Sequence, residues 1–305
     1  MKCRKQSKCR VCYSKKLKQI ISFGKVPLNG NLINSKKLNV PSYNLNLLMC
    51  LKCYHIQIGY LVDPKKLFSK YFWETGVSKS NLKIIENLLS ILKKKYKLNK
   101  NSKVFEVACN DASLLKYFYT KTKCYVSGMD PAKNLLKNYI KKKYRITNDF
   151  FNSKNASRYY NDKKFDFIIA RNVLAHVEDP NEIIRGAEKI SKEGSILIIE
   201  VPHLLTIYDE NQYDNIFHEH VGYHSLHSVN QIAEKFNFKI FDCEVIESQG
   251  KSIRCFYKYT FKQIKKTSKV MHILNAEKKL LNKKIWFRFS SKIRMHKLHM
   301  QRLFS

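Results

Sequence analysis

Between residues 78 and 97 the apolar positions Leu82, Ile85, Leu88, Leu89 and Leu92 recur at intervals of three and four. That spacing predicts an amphipathic helix, with Lys93, Lys94 and Lys95 near the end where a helix dipole favours cations. Beyond residue 100 the pattern changes to short, continuous apolar runs. KVFEVA (103–108), CYVSGMD (124–130), FDFIIA (165–170) and SILIIE (195–200) read as buried strands. Helical spacing begins at LLKYFY, at Pro131 and over Pro180–Ser191. Strand–helix alternation implies right-handed βαβ units and a mostly parallel sheet, so the fold class is α/β. FKIFDCEVIE and SIRCFYKYTF, parted by Ser248–Lys251, read as an antiparallel pair closing one sheet edge. The predicted organisation is a small domain over 1–75, a linking helix over 76–99, an α/β domain over 100–260 and a basic, helical tail over 261–305. The apolar content of that tail is Trp286, Phe287 and Phe289.

Composition narrows the picture. A chain of 305 residues with 44% hydrophobic content can bury a substantial core. No apolar run approaches the roughly 18–20 residues of a membrane span, and the start, MKCRKQSKCRVC, has no apolar signal-peptide core. A cytoplasmic location is expected. The net charge is +34, and 48 of the 58 cations are Lys, spread along the whole chain beside abundant Asn and Ile. Dedicated phosphate readers rely more on Arg, so the charge is attributed to coding bias and nucleic acid is not expected as a partner.

The nine Cys of a cytosolic chain should be thiols or metal ligands. Cys9-x-x-Cys12 and Cys50-x-x-Cys53 form two knuckles whose four sulfurs suit a closed, structural zinc site. Cys3 is expected in a disordered N-terminus. Cys109, Cys124, Cys243 and Cys255 are expected in the core. The run from Val104 to Ala112 leads from a strand through a loop into a helix, the place where an α/β sheet binds a nucleotide. No glycine-rich phosphate motif is present. Glu106 and Asp111 in this loop, and Asp130 at the end of the next strand, would repel a pyrophosphate. They suit a cationic, phosphate-free nucleotide such as S-adenosylmethionine, with Asp130 accepting the ribose hydroxyls. Downstream, His218-Glu219-His220 lacks the spacing of a zinc protease and suits proton transfer. His176, after the loop Arg171-Asn172-Val173, lies at the same edge of the sheet, so both His clusters could meet over the cofactor.

These segments together resemble the zinc-containing sugar C-methyltransferases, which act on nucleotide-linked keto-deoxysugars. The resemblance rests on the paired CxxC knuckles, Gly24–Asn29, Leu67–Trp73 and Glu106-x-x-x-Asn110-Asp111-x-x-Leu114-Leu115. It continues through Asn172–Val177, Glu200-Val201-Pro202, Asp214-x-Ile216-Phe217-His218-Glu219-His220 and Gly250–Arg254. It implies a class I methyltransferase fold (Rossmann-like) behind a zinc domain, with the cofactor held by Glu106, Ala108, Asn110, Asp111, Asp130 and Asn172. It implies a methyl transfer to the carbon beside a ketone, with His220 as base and Glu219 setting its orientation. His176 would hydrogen-bond the keto oxygen, and Tyr71 and Tyr223 would line the sugar pocket. The chain departs from the family at Ala108, Ala112 and Lys251, where glycine is usual, and at Phe217, where tyrosine is frequent. Against the family pattern the expectation is that the C-terminal unit that helps hold the substrate nucleotide is missing, in a shortened variant, in a decayed copy, or in a chain whose unit a partner chain supplies. The alternatives to an active sugar C-methyltransferase are a non-catalytic or decayed scaffold descended from it and, from the +34 charge, a zinc-ribbon RNA methyltransferase.

Overall fold

The computed structural model describes residues 3–29, 40–68, 71, 73–136 and 144–304. Ser69, Lys70 and Phe72 of the Leu67–Trp73 segment lie outside the described residues, as does the continuation of the helix expected from Pro131, which covers Lys133–Leu136.

Seven strands form the central sheet, in the spatial order Phe238–Ile246, Ser252–Tyr259, Ser191–Pro202, Phe165–Arg171, Lys103–Val107, Tyr125–Met129 and Arg145–Thr147. All run parallel except Ser252–Tyr259, which is antiparallel to both neighbours. The edge hairpin therefore stands where the alternation of apolar residues placed it. Val107 sits level with Met129 on one side and Ala170 on the other, so three strands end together and their loops open onto one crevice. The helix Lys79–Tyr96 starts at Ser78, whose hydroxyl accepts from the Asn81 N–H, and buries Ile85, Leu88, Leu89 and Leu92 on one sheet face. Leu82, expected on that stripe, is exposed. The other face is covered by Ser153–Tyr160, Pro180–Lys189 and Leu226–Ala233.

A second, four-stranded antiparallel sheet has the order Gly222–Tyr223, Ile56–Ile58, Ser42–Cys50, Leu17–Pro27. Its edge strand comes from the segment just after His220, so it is not built from residues 1–75 alone. Cys3 packs against Leu28, Tyr43 and Val62 instead of lying in a disordered terminus. Cys109, Cys124, Cys243 and Cys255 are buried as expected.

The segment 261–305 is docked, not trailing. In the helix Ser268–Glu277, the buried Glu277 carboxylate accepts from the Leu226 and His227 N–H groups at 2.7 and 2.9 Å and pairs with His203 Nε2 at 2.8 Å. The helix Lys283–Leu303 drives Trp286, Phe289 and Ile293 into the core beside Ile20, Ile21 and Leu45. Phe287, also part of the tail's apolar content, faces outward. Among the described residues no helix is long and apolar enough to cross a membrane.

Candidate active site

The crevice beyond the strand ends holds a cavity of about 330 Å³, within the range of small-molecule sites. Glu106, Ala108, Asn110, Asp130, Asn172, His176 and Tyr71 line it. The loop after Lys103–Val107 folds tightly because Ala108, Asn110 and Ala112 all take left-handed φ, +51°, +52° and +57°. Ala in that region costs roughly 1–2 kcal/mol, which explains glycine in the family at the two Ala positions.

Each expected cofactor residue has a definite place. Asp130 accepts from the Asn110 N–H at 2.8 Å and the Ala132 N–H at 2.7 Å, one amide on each carboxylate oxygen. Each oxygen keeps a lone pair for a hydroxyl. Burial raises its pKa. Asn110 turns its side chain away to hold the strap 73–75: its Oδ1 accepts from the Thr75 N–H at 2.9 Å and its Nδ2 donates to the Trp73 carbonyl at 2.9 Å. Asp111 does not line the cavity. Its carboxylate accepts from the Gly76 and Ser113 N–H groups, so it fixes the strap and the start of the next helix. Glu106 is buried with Oε2 unpartnered, and Asn172, at φ +53°, is left with Oδ1 unpartnered. Burial pushes the Glu106 pKa well up. Two orphaned acceptors lining a cavity ask for donors. The ammonium and ribose hydroxyls of S-adenosylmethionine supply them, so the residues fit that cofactor.

Of the two histidines expected to meet over the cofactor, His176 lines the cavity and His220 stands beside it without lining it. His176 and His220 have ring centroids 4.9 Å apart. His176 Nδ1 is 3.0 Å from the Glu219 carbonyl, and His220 Nδ1 is 3.1 Å from the Asn215 carbonyl. A carbonyl only accepts, so in the neutral rings Nδ1 carries the proton and each Nε2 offers a lone pair. Burial holds His176 down at about 4. Burial and the neighbouring His176 hold His220 down at about 3. Phe217 stacks on His220 with centroids 4.1 Å apart.

His220 is oriented by Asn215; the Glu219 carboxylate makes no hydrogen bond among the described residues, and Glu219 instead orients His176 through its carbonyl. Neutral His176 accepts at Nε2, so it can donate to a keto oxygen only when protonated. Tyr223 is buried and does not line the cavity; its hydroxyl donates to the Asn215 carbonyl at 3.4 Å and its ring backs His220. Tyr71 does line the cavity, and burial, with Glu219 and Asp130 nearby, pushes its hydroxyl up to about 12, keeping it a donor. His218 is a tie: its Nε2 lies 3.2 Å from the Tyr43 carbonyl. Pattern reasoning passed over Arg171, Asn81, Phe150, Phe151 and Gln249, which also line the cavity. Arg171 was visible as a cation closing a buried strand.

The sulfurs of Cys9, Cys12, Cys50 and Cys53 lie within 4.8 Å of one another. Cys9–Cys53 and Cys12–Cys50 are 3.4 and 3.5 Å apart, near the edge of a tetrahedron with metal–sulfur distances of about 2.3 Å. Both knuckles fold alike: the residue after the second Cys, Tyr13 or Tyr54, takes a left-handed φ and donates its N–H to the carbonyl of the first Cys at 2.9 Å. Four thiolates fit zinc and leave no open position, so the metal's role is structural. The knuckle residue Arg10 donates to the Glu178 carbonyl at 2.7 Å, and its own carbonyl accepts from Asn181 Nδ2 at 2.8 Å. The zinc site thus grips the loop that carries His176.

Residues 78–242 match the model of a family described as a methyltransferase domain. Residues 9–68 match one described as "Putative zinc binding domain". C-methyltransferase NovU of Streptomyces niveus is 25% identical over 251 residues, 81% of this chain and 60% of NovU. The chain therefore spans about three fifths of the length of that curated relative. A solved protein of Pyrococcus horikoshii aligns with a TM-score of 0.49 at 15% identity, over 64% of this chain and 98% of its own. The magnesium protoporphyrin IX methyltransferase of Synechocystis, solved with S-adenosylmethionine, gives 0.44 at 13% identity over 58% of this chain and 79% of its own. With more than half of its residues inside the first of these models, the chain belongs to the methyltransferase-domain family, with the fold of a class I S-adenosylmethionine methyltransferase and a zinc-binding domain before it.

Proposed function

We propose that the chain transfers a methyl group to the carbon beside a ketone in a nucleotide-linked deoxysugar. The observation that carries this reading is the His176–His220 pair, with His176 on the cofactor cavity and both Nε2 atoms free to accept. The similarity to NovU, a C-methyltransferase, points the same way. When bound, S-adenosylmethionine supplies an electrophilic methyl on a sulfonium.

The chain's residues do the rest. His220 Nε2 takes the proton from the carbon beside the ketone; the C–H electrons delocalise onto the keto oxygen, leaving a nucleophilic carbon. The Asn215 carbonyl holds His220 in the accepting tautomer and stabilises the imidazolium that forms. The Tyr71 hydroxyl donates to the developing oxyanion. His176 Nε2 accepts from a sugar hydroxyl and fixes the ring's pose. The strap at 73–76, pinned by Asn110 and Asp111, borders the cofactor cavity at Trp73 and Thr75.

The test is hydrogen–deuterium exchange at the carbon beside the ketone, followed by NMR over a panel of nucleotide-linked keto-deoxysugars. Wild-type protein should exchange this proton. His220→Ala should not, while still binding S-adenosylmethionine in calorimetry. Exchange and methyl transfer at the wild-type rate in His220→Ala would remove the base from the mechanism.

A further inference from the structure

The helix Lys283–Leu303 has two faces. Trp286, Phe289, Ser290 and Ile293 are buried against the body of the protein. Turned away from them, Phe287, Ser291, Met295, Leu298 and Arg302 follow at intervals of four, four, three and four, which places them in one outer row. The apolar members of that row are uncovered: Phe287 is 41% exposed, Met295 65% and Leu298 50%. Lys284, Arg288 and Lys292, spaced by four, form a second exposed row beside the first, and Arg294 flanks it on the other side. Among the described residues no carboxylate pairs with any of these four cations; Lys292 Nζ stands over the Tyr208 ring at 5.9 Å.

The charge here differs in kind from the lysine spread over the rest of the chain. From Lys278 onward there is no Asp or Glu. Three of the seven cations of the helix are Arg, out of only ten Arg in the whole chain, and a coding bias towards Lys does not account for that. A groove of about 720 Å³ opens along the two rows, lined by Asn211, Phe287, Arg288, Ser291, Lys292 and Met295. Asn211 Oδ1 is buried there without a partner, an acceptor left for a hydroxyl. The two acids before it are already neutralised: Asp209 pairs with Lys279 at 2.6 Å and Glu210 with Lys251 at 2.5 Å. The face is therefore positive, partly apolar and unpartnered.

One partner chemistry answers all of these features. A nucleic acid would satisfy the cations and leave Met295 and Leu298 in water. An anionic bilayer offers headgroup phosphates with hydrocarbon directly beneath, within the depth an amphipathic helix reaches when it lies in the interface. We infer that the outer face of Lys283–Leu303 docks on an anionic phospholipid surface. Phe287, Met295 and Leu298 enter the acyl boundary, Lys284, Arg288 and Lys292 meet the phosphates, and the groove at Asn211 takes a headgroup hydroxyl. The attachment is peripheral and does not depend on the methyl-transfer chemistry, so a failed substrate screen leaves it standing.

Vesicle flotation with the full chain provides the test, comparing phosphatidylcholine alone with phosphatidylcholine carrying about one third phosphatidylglycerol, at about 0.15 M salt. Wild-type protein should float with the anionic vesicles and bind phosphatidylcholine at least about tenfold more weakly. Met295→Ser with Leu298→Ser, which leaves the charge unchanged, should weaken binding about tenfold or more. Arg288→Gln with Lys292→Gln should weaken it about 25-fold, roughly fivefold for each cation at the surface. Lys116→Gln with Lys121→Gln, the same charge loss on the exposed side of the helix Ser113–Thr122, should change it by less than about twofold. All these positions are exposed, and circular dichroism and S-adenosylmethionine affinity should match wild type. Wild-type protein that stays unbound, as it would if this face served an acidic protein or RNA, overturns the inference, and so does equal binding to the two compositions. A serine pair that binds like wild type, or a Lys116/Lys121 pair as costly as the Arg288/Lys292 pair, reduces the effect to general attraction of a cationic chain and also overturns it.

Discussion

Replacing Glu200 with Gln isolates the energetic cost of the charge network beneath the cofactor. Glu200 is 1% exposed and lies between Arg171 and Arg254, at 3.0 and 2.6 Å. The amide keeps the shape and removes the charge. Arg254 retains Glu244 and Asn87, so its loss is partly offset. Arg171 retains no ion-pair partner. Leaving one buried cation uncompensated costs about 3–5 kcal/mol. For a chain of this size each kcal/mol lowers Tm by about 2 °C, so Glu200→Gln should melt about 8 °C below wild type. The same loss should appear on acidification. Burial raises the Glu200 pKa, but Arg171 and Arg254 outweigh it and hold the carboxyl below its usual range. Its contribution is therefore complete above about pH 4.5 and disappears as pH falls through the lowered folded-state value. Thermal and urea melts at pH 7, with circular dichroism to confirm the fold, measure the effect. A Tm within about 2 °C of wild type would refute the claim that these charges depend on one another.

If His176 and His220 act as proposed, the acid side of the rate profile should be flat. With His176 held at about 4 and His220 at about 3, both rings stay neutral above about pH 5, and kcat/KM should show no imidazole limb there. The same depression destabilises the fold on acidification: an unfolded ring protonates near 6.5, so each costs about 1.4 kcal/mol per pH unit below that, levelling off at the folded value. Urea melts at pH 7 and 5.5 check this against a variant with His220→Gln. Cys53→Ser should lower bound zinc from about one per chain to none by elemental analysis. It should cut methyl transfer more than cofactor affinity, because Arg10 anchors the His176 loop. Ala108→Gly should gain about 0.5–1 kcal/mol, the relief at φ +51° less the extra freedom of unfolded glycine, read as a higher urea midpoint.

The α/β domain was legible because each strand is a short apolar run bounded by polar turns, and the parallel order follows from the helices between them. The glycine departures were legible in the same physical way. Ala108, Ala112 and Lys251 replace family glycines, and all three have positive φ, +51°, +57° and +73°. The family pattern reports a backbone constraint there, and this chain carries its cost. Individual side-chain directions were not legible. Asp111 and Asp130 are both acids of one crevice, yet the first caps backbone amides of the strap while the second lines the cavity. Nothing in the residue type separates them; only the path of 73–76 does. Tyr223 was misplaced for the same reason. A two-residue strand, too short to leave a periodic signal, turns it into the second sheet.

That short strand also joins the two halves of the chemistry. Gly222 and Tyr223 pair with Gln57 and Ile56 of the zinc-side sheet, and the Val221 N–H donates to the Ala175 carbonyl at 2.7 Å. One stretch of backbone therefore links the zinc-side sheet, the base candidate His220 and the turn that carries His176. The knuckle at Cys9–Cys12 holds that turn from the other side through Arg10. His55, beside the second knuckle, is buried against His224 with ring centroids 4.9 Å apart. The distance between two proton-accepting nitrogens depends on where these loops are clamped, and a loose loop would let it drift by more than catalysis tolerates. A zinc ion in the four thiolates, out of reach of any substrate, would then bear on the rate by holding His176 and His220 at their separation.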